Sequence, residues 1–98
     1  MSLSGKQKRF LRGLGNQLKS EVFVGREGVT AAVLRAIEQA VAANELVKVK
    51  LLETFAGDRH VVAEELAAQS VCELIQVLGR TVLLYRRRSD EPVIHLPA

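Results

Sequence analysis

Tryptophan is absent from this 98-residue chain, and its aromatic content of 4% comes from Phe10, Phe23, Phe55 and Tyr85 alone. A core must therefore rest on Leu, Val, Ile and Ala, and a broad platform for stacking bases is excluded. Cys72 is the only cysteine, so no internal disulfide can form. Residues 1–10 carry charge where a secretory signal would need an apolar stretch, and the expected location is a reducing compartment, the cytoplasm. The longest apolar runs, such as residues 82–85, fall far short of the roughly 20 residues that cross a bilayer, so no membrane partner is expected. Acidic residues are missing from the first nineteen positions, which carry Lys6, Lys8, Arg9, Arg12 and Lys19.

What is present is ordinary for a folded protein. A hydrophobic fraction of 48% and a charged fraction of 26% argue against disorder. The length suits a single domain over residues 1–98 with a radius of gyration of about 13 Å. The net charge of +3 is laid out unevenly, since residues 20–70 are acidic on balance while Arg80, Arg86, Arg87 and Arg88 follow near the end. Such sorting suits a basic face aimed at a polyanion. It also suits an amphipathic helix that merely keeps one face in water.

Periodicity predicts a short basic helix over residues 4–14, where Phe10, Leu11 and Leu14 share a side, within a helix-and-linker segment over 1–19. Residues 21–24 read as a buried strand ending at Gly25. Thr30 is a good cap for a helix over 31–44 with an apolar stripe of Val33, Leu34, Ile37, Ala40 and Val41. Residues 45–52 alternate, with Val47, Val49 and Leu51 on one face and Lys48 and Lys50 on the other. Gly57 and Asp58 introduce a third helix over 59–69. Two last strands, 72–78 and 81–86, are joined by Gly79-Arg80, a pair suited to a type II′ turn. Pairing outward from that turn sets Val77 against Val82, Ile75 against Leu84 and Glu73 against Arg86.

The expected fold is an α/β two-layer sandwich, an N-terminal helix followed by β-α-β-α-β-β with a mixed four-stranded sheet. Its second face would carry Lys48, Lys50, Leu74, Gln76, Leu83 and Tyr85, covered in part by Phe10 and Leu14 of the first helix. Residues 89–98 read as an extended arm.

The segment with chemical content is Gly25-Arg26-Glu27-Gly28, a GxxG loop between a strand and a helix N-terminus. Two glycines let the main chain come close to a ligand backbone, and the amides and positive dipole end of the helix favour an anion. The plainer alternative is a tight turn that needs glycine only for its dihedrals. The setting favours the first reading, because a basic helix precedes the loop, Arg26 lies inside it, and KH domains use the same device on RNA backbone.

Three stretches are also familiar together. Residues 22–30 around the loop, residues 44–50 and residues 76–86 resemble the CRM domain, the chloroplast RNA splicing and ribosome maturation family, and the opening Leu3-Ser4-Gly5-Lys6-Gln7-Lys8 resembles its bacterial stand-alone YhbY-type members. The resemblance implies an RNA-binding domain with a fold similar to the C-terminal domain of translation initiation factor three. It also implies a role in assembly of the large ribosomal subunit. By the motif match, Gly25, Arg26 and Gly28 inherit the loop role. Glu27 departs from what a phosphate seat would prefer.

Other chemistries lack residues. Cys72, His60 and His95 lie in different elements, too scattered for a nucleophile–base pair or a metal site, and Glu64 and Glu65 point about 100° apart on one helix. The loop has neither the Gly-Lys-Ser/Thr ending of a P-loop nor a third glycine, so no nucleotide cofactor is expected. The resulting expectation is a non-catalytic monomer that holds structured RNA, ribosomal RNA or a large-subunit precursor. Gly25, Arg26 and Gly28 would act with Lys6, Lys8, Arg9, Arg12, Lys48, Lys50, Arg87 and Arg88 on phosphates. Tyr85 would either stack on a base or pack in the core. The alternative is a protein-interaction adaptor that docks the basic helix and open sheet face on an acidic partner.

Overall fold

A computed structural model describes residues 2–98. Its elements follow the expected order: α1 (Gly5–Gly15), β1 (Val22–Val24), α2 (Ala31–Asn44), β2 (Leu46–Leu51), α3 (Arg59–Ser70), β3 (Glu73–Leu78) and β4 (Thr81–Tyr85). The strands form one mixed sheet in the order β1-β2-β4-β3, with β1 parallel to β2 and the other neighbours antiparallel. The Cα radius of gyration is 12.7 Å.

Each helix starts at a side chain that accepts from one or two of its free amides. Ser4 Oγ accepts from the Gln7 amide while the Gln7 side chain accepts from the Ser4 amide, a reciprocal capping box. Thr30 Oγ1 accepts from the Val33 amide at 3.1 Å. Asp58 Oδ1 accepts from the amides of His60 and Val61 at 2.8 and 2.9 Å.

Helices α2 and α3 cover one face of the sheet, burying Ile37, Val41, Val62 and Leu66 against Val22, Val24, Val47, Val49, Leu51, Val82 and Leu84. The second face has its own smaller cluster, in which Leu11 seals Leu46, Ile75, Leu83 and Tyr85, and Leu14, Leu18, Ile94 and Leu96 pack around them. Helix α1 and the C-terminal segment thus add cover to the two-layer frame. The close approach needs Gly15, where a Cβ would stand 2.6 Å from Leu83 Cδ2. Phe10 was expected in that contact, but it is 39% exposed and Leu11 takes its place. The run Phe10-Leu11 offers two adjacent apolar residues, and only one of them can face the sheet.

The hairpin register also differs from the expectation. Val77 does oppose Val82, but Leu74 opposes Leu84 and Glu73 opposes Tyr85 because a bulge at Ile75 intervenes. Leu74 and Ile75 are consecutive apolar residues between two apolar faces. The extra residue lets Ile75 and the next residue, Gln76, share the face beneath α1 while Leu74 and Val77, three residues apart, both pack on the α2–α3 side, which strict alternation would forbid. Leu74 therefore does not belong to the second face. Arg86, expected opposite Glu73, instead pairs with Glu38 at 2.6 Å and donates to the Ser70 carbonyl.

Candidate nucleic-acid interface

Strand β1 ends at Val24, and the chain turns at once. The Gly28 amide donates to the Gly25 carbonyl at 3.0 Å, so residues 25–28 close a four-residue turn that carries Arg26 and Glu27 at its exposed tip. Gly28 takes φ +69°, a left-handed conformation that costs an L-residue roughly 1–2 kcal/mol, and nothing lies within 4 Å of the Cβ it lacks. Here glycine serves the backbone. Gly25 is backed by the neighbouring loop, with Thr54 Oγ1 3.0 Å from where its Cβ would stand. Two residues after the turn Thr30 opens α2, so the positive end of that helix and its first-turn amides lie beside the loop.

The loop's backing is held from the hairpin. Arg80 Nε donates to the Leu51 carbonyl at 3.0 Å, and its Nη2 donates to the carbonyls of Leu52 and Phe55. Arg59 Nη1 reaches the Gly79 carbonyl. Arg80 thus fixes the start of the 52–58 loop and Arg59 ties the start of α3 to the hairpin tip, while Arg26 is exposed at the tip of its turn. The turn, the 52–58 loop and the hairpin tip form one end of the molecule.

Lys50 sits at that same end. It is exposed and pairs across strands with Phe23, two residues before Gly25. Lys48 lies two pairs further down on the same face, half-buried opposite Leu83, where α1 ends. Along α1, Lys6 and Arg9 are exposed and Lys8 and Arg12 are half-buried on the flanks of the Leu11–Leu14 contact. Helix α1 begins at the opposite end, where Gln7 Nε2 donates to the Pro97 carbonyl. Arg87 and Arg88 follow β4 at that far end. The structure thus brings Gly25, Arg26, Gly28 and Lys50 together, strings the α1 bases and Lys48 along the second face, and sets Arg87 and Arg88 apart.

Strand β1 was expected to be buried throughout. Only Val22 and Val24 are, and Phe23 between them is 50% exposed on the second face. Tyr85, for which stacking and packing were both open, is core: 1% exposed, with a hydroxyl that meets no hydrogen-bond partner among the described residues. Burial first, and Glu45 nearby, push its phenol above the usual range.

Residues 3–86 match the family described as CRS1 / YhbY (CRM) domain. The chain belongs to the CRM-domain family. It is 39% identical to the Bacillus subtilis protein named "Probable RNA-binding protein YqeI", over 97% of this chain and 99% of that one. It is 35% identical to a Haemophilus influenzae protein named "RNA-binding protein", over 98% of this chain and 96% of that one. A Staphylococcus aureus protein solved in solution superposes with a TM-score of 0.82 at 32% identity, covering 98% of this chain and 100% of that one.

The CRM match ends at Arg86, so Arg87, Arg88 and the residues after them lie outside it. What fixes that segment is a residue that sequence reasoning treated only as the start of a strand. Glu45 ends α2 at φ +67° and is fully buried. Its Oε2 accepts from the Arg88 amide at 2.7 Å, and its Oε1 accepts from the amides of Val93 and Ile94 at 2.8 and 2.6 Å. A buried carboxylate is tolerated because three amides surround it. Nothing in the sequence marked it, because the positive φ at this helix-to-strand junction, where a non-glycine residue needs compensating contacts, is a feature of the folded backbone. Among the described residues no group of three or more His, Cys, Asp or Glu side chains is placed to share a metal ion. No helix among them is long and apolar enough to cross a membrane.

Proposed function

We propose that this CRM-domain chain is a non-catalytic RNA-binding protein that acts as one unit and grips the phosphate backbone of structured RNA. The observation that carries this reading is the solvent-exposed turn at residues 25–28. Arg26 stands at its tip, Gly28 holds a positive φ, Lys50 lies beside it, and the N-terminus of α2 lies behind it. Backbone amides at a helix start and a guanidinium on a glycine turn recognise the same thing, a singly charged phosphate oxygen. Relatives covering nearly the whole chain carry RNA-binding names. Lys6, Lys8, Arg9 and Arg12 extend the positive surface along α1, and Arg87 and Arg88 extend it past β4. The target within this reading is ribosomal RNA of a large-subunit precursor in the cytoplasm, a point supported by the family resemblance.

Glu27 shares the turn with Arg26 and is exposed. It has room to point into solvent, so the phosphate seat consists of Arg26 and the amides rather than both tip side chains.

Salt titration tests the proposal. The logarithm of the affinity for RNA should fall linearly with the logarithm of salt concentration, and each lost phosphate contact should reduce that slope by roughly 0.7 to 0.9. Arg26→Ala is expected to weaken binding and flatten the slope, and Lys8→Ala to do so through α1. Unchanged affinity and slope in both variants would remove the assigned surface. Purified protein is expected to carry nuclease-sensitive ultraviolet absorbance, whereas a nuclease-resistant acidic protein partner would support the adaptor reading instead.

A further inference from the structure

Helix α1 stops one same-face row short of the end of the sheet. Gly15 rests on Leu83, and Leu83 lies in the cross-strand row with Lys48 and Gln76. The next row out runs across all four strands, Phe23 on β1, Lys50 on β2, Thr81 on β4 and Leu78 on β3, each paired in register with its neighbour. Directly paired residues share a face, so all four side chains emerge on the side that α1 leaves open. Phe23 is 50% exposed and Leu78 60%, with Leu52 exposed beside them. An aromatic ring and a lysine, side by side on an uncovered face, adjoin the turn that seats a phosphate.

We propose that this row binds an unpaired nucleotide of the RNA strand held by the turn, with its base stacked on the Phe23 ring and Lys50 on the adjoining phosphate. Phe23 lies two strand residues from Gly25, about 7 Å along the backbone, which is within the reach of one nucleotide from its phosphate to its base. Every base has a π-face, and a lone aromatic beside a positive groove is the arrangement that single-stranded sites use. A duplex could not reach the ring, because its bases are stacked inside the helix. Lys50 would attract either a phosphate or an acidic protein segment, and Phe23 favours the nucleotide, because it offers a flat ring of base size and not a pocket. The inference rests on the RNA-binding reading of the turn and narrows it to RNA with an unpaired stretch.

The experiment uses the full chain and two probes: a short single-stranded RNA with 2-aminopurine at one position, and a duplex of the same length. Wild-type protein is expected to change the 2-aminopurine fluorescence, Phe23→Tyr to preserve that change, and Phe23→Ala to abolish it. Phe23→Ala should also weaken single-strand affinity about tenfold with an unchanged salt slope, since a ring contact is lost and no phosphate contact is. Duplex binding should be unaffected by Phe23→Ala. If Phe23→Ala binds the single strand like wild type while Arg26→Ala weakens it, the stacking site is overturned and the backbone reading stands. If Arg26→Ala and Lys50→Ala both leave affinity unchanged, the backbone reading itself fails. Loss of an acidic protein partner in Phe23→Ala, with RNA binding intact, would likewise overturn the proposal.

Discussion

Gly28 is the residue at which conformation bears most directly on the proposed recognition. Its φ of +69° lets the turn close and presents Arg26, and open space surrounds its missing side chain. A substitution there meets backbone strain and no steric clash. Gly28→Val is therefore expected to lower stability by only about 1–2 kcal/mol, since a β-branched residue must enter the left-handed region. RNA affinity should fall more than stability does, because the turn reshapes while the core stays packed. Thermal unfolding and an RNA titration on the same protein would check the two sides. The loop was legible from sequence because glycine, strand and helix cap are local signals. Phe23 was not: a run of Val, Phe and Val says that a strand is present, but not that α1 ends before it covers the middle residue. Which side chains a separate element covers is a tertiary fact.

At the scale of elements, the capping residues carry most of what was readable. Thr30 and Asp58 stand where the sequence expected the helices to start, because caps act through amides two or three residues away. Asp58 also gives α3 a pH dependence. Amide hydrogen bonds from Val61 and His60 hold its carboxyl below the usual carboxylate range. A depressed folded value means that this contribution is present above the unfolded value and is lost as pH falls through the folded one. Acidification is expected to loosen the first turn of α3. Asp58→Asn keeps an oxygen for the amides and should remove that part of the pH dependence, read as the melting midpoint against pH. The bulge at Ile75 and the latch at Glu45 were not readable, since both depend on which of several apolar or polar neighbours wins a contact far away in sequence. Glu45→Ala leaves the Arg88, Val93 and Ile94 amides without their acceptor. Destabilisation on the order of 3 kcal/mol is expected. Hydrogen exchange should show those three amides losing protection while the β2 and β4 amides keep theirs; uniform loss would mean that the carboxylate supports the whole fold rather than the C-terminal segment.

Across the whole molecule, the positive groups occupy two ends joined by a stripe. The principal extents are 39 × 24 × 22 Å, so the molecule is far longer than one nucleotide. Arg26 and Lys50 lie at the hairpin end, whereas Arg87 and Arg88 lie beyond the far end of β4, whose five residues separate the groups by roughly 17 Å. Glu45 holds Arg88 in place through its backbone amide, which leaves the guanidinium available, while Arg86 is occupied by Glu38. A strand anchored at the turn must therefore be several nucleotides long before it meets the second group. Removing both distant arginines, Arg87→Ala with Arg88→Ala, should leave the affinity of a trinucleotide unchanged and weaken longer RNA. The salt slope should drop by up to about 1.4 to 1.8, two contacts' worth, only once the RNA spans both ends. Arg26→Ala should weaken every length alike. If the distant pair mattered equally for the trinucleotide, the RNA would be entering at the Arg87 end, and the turn at residues 25–28 would be the distal contact rather than the anchor.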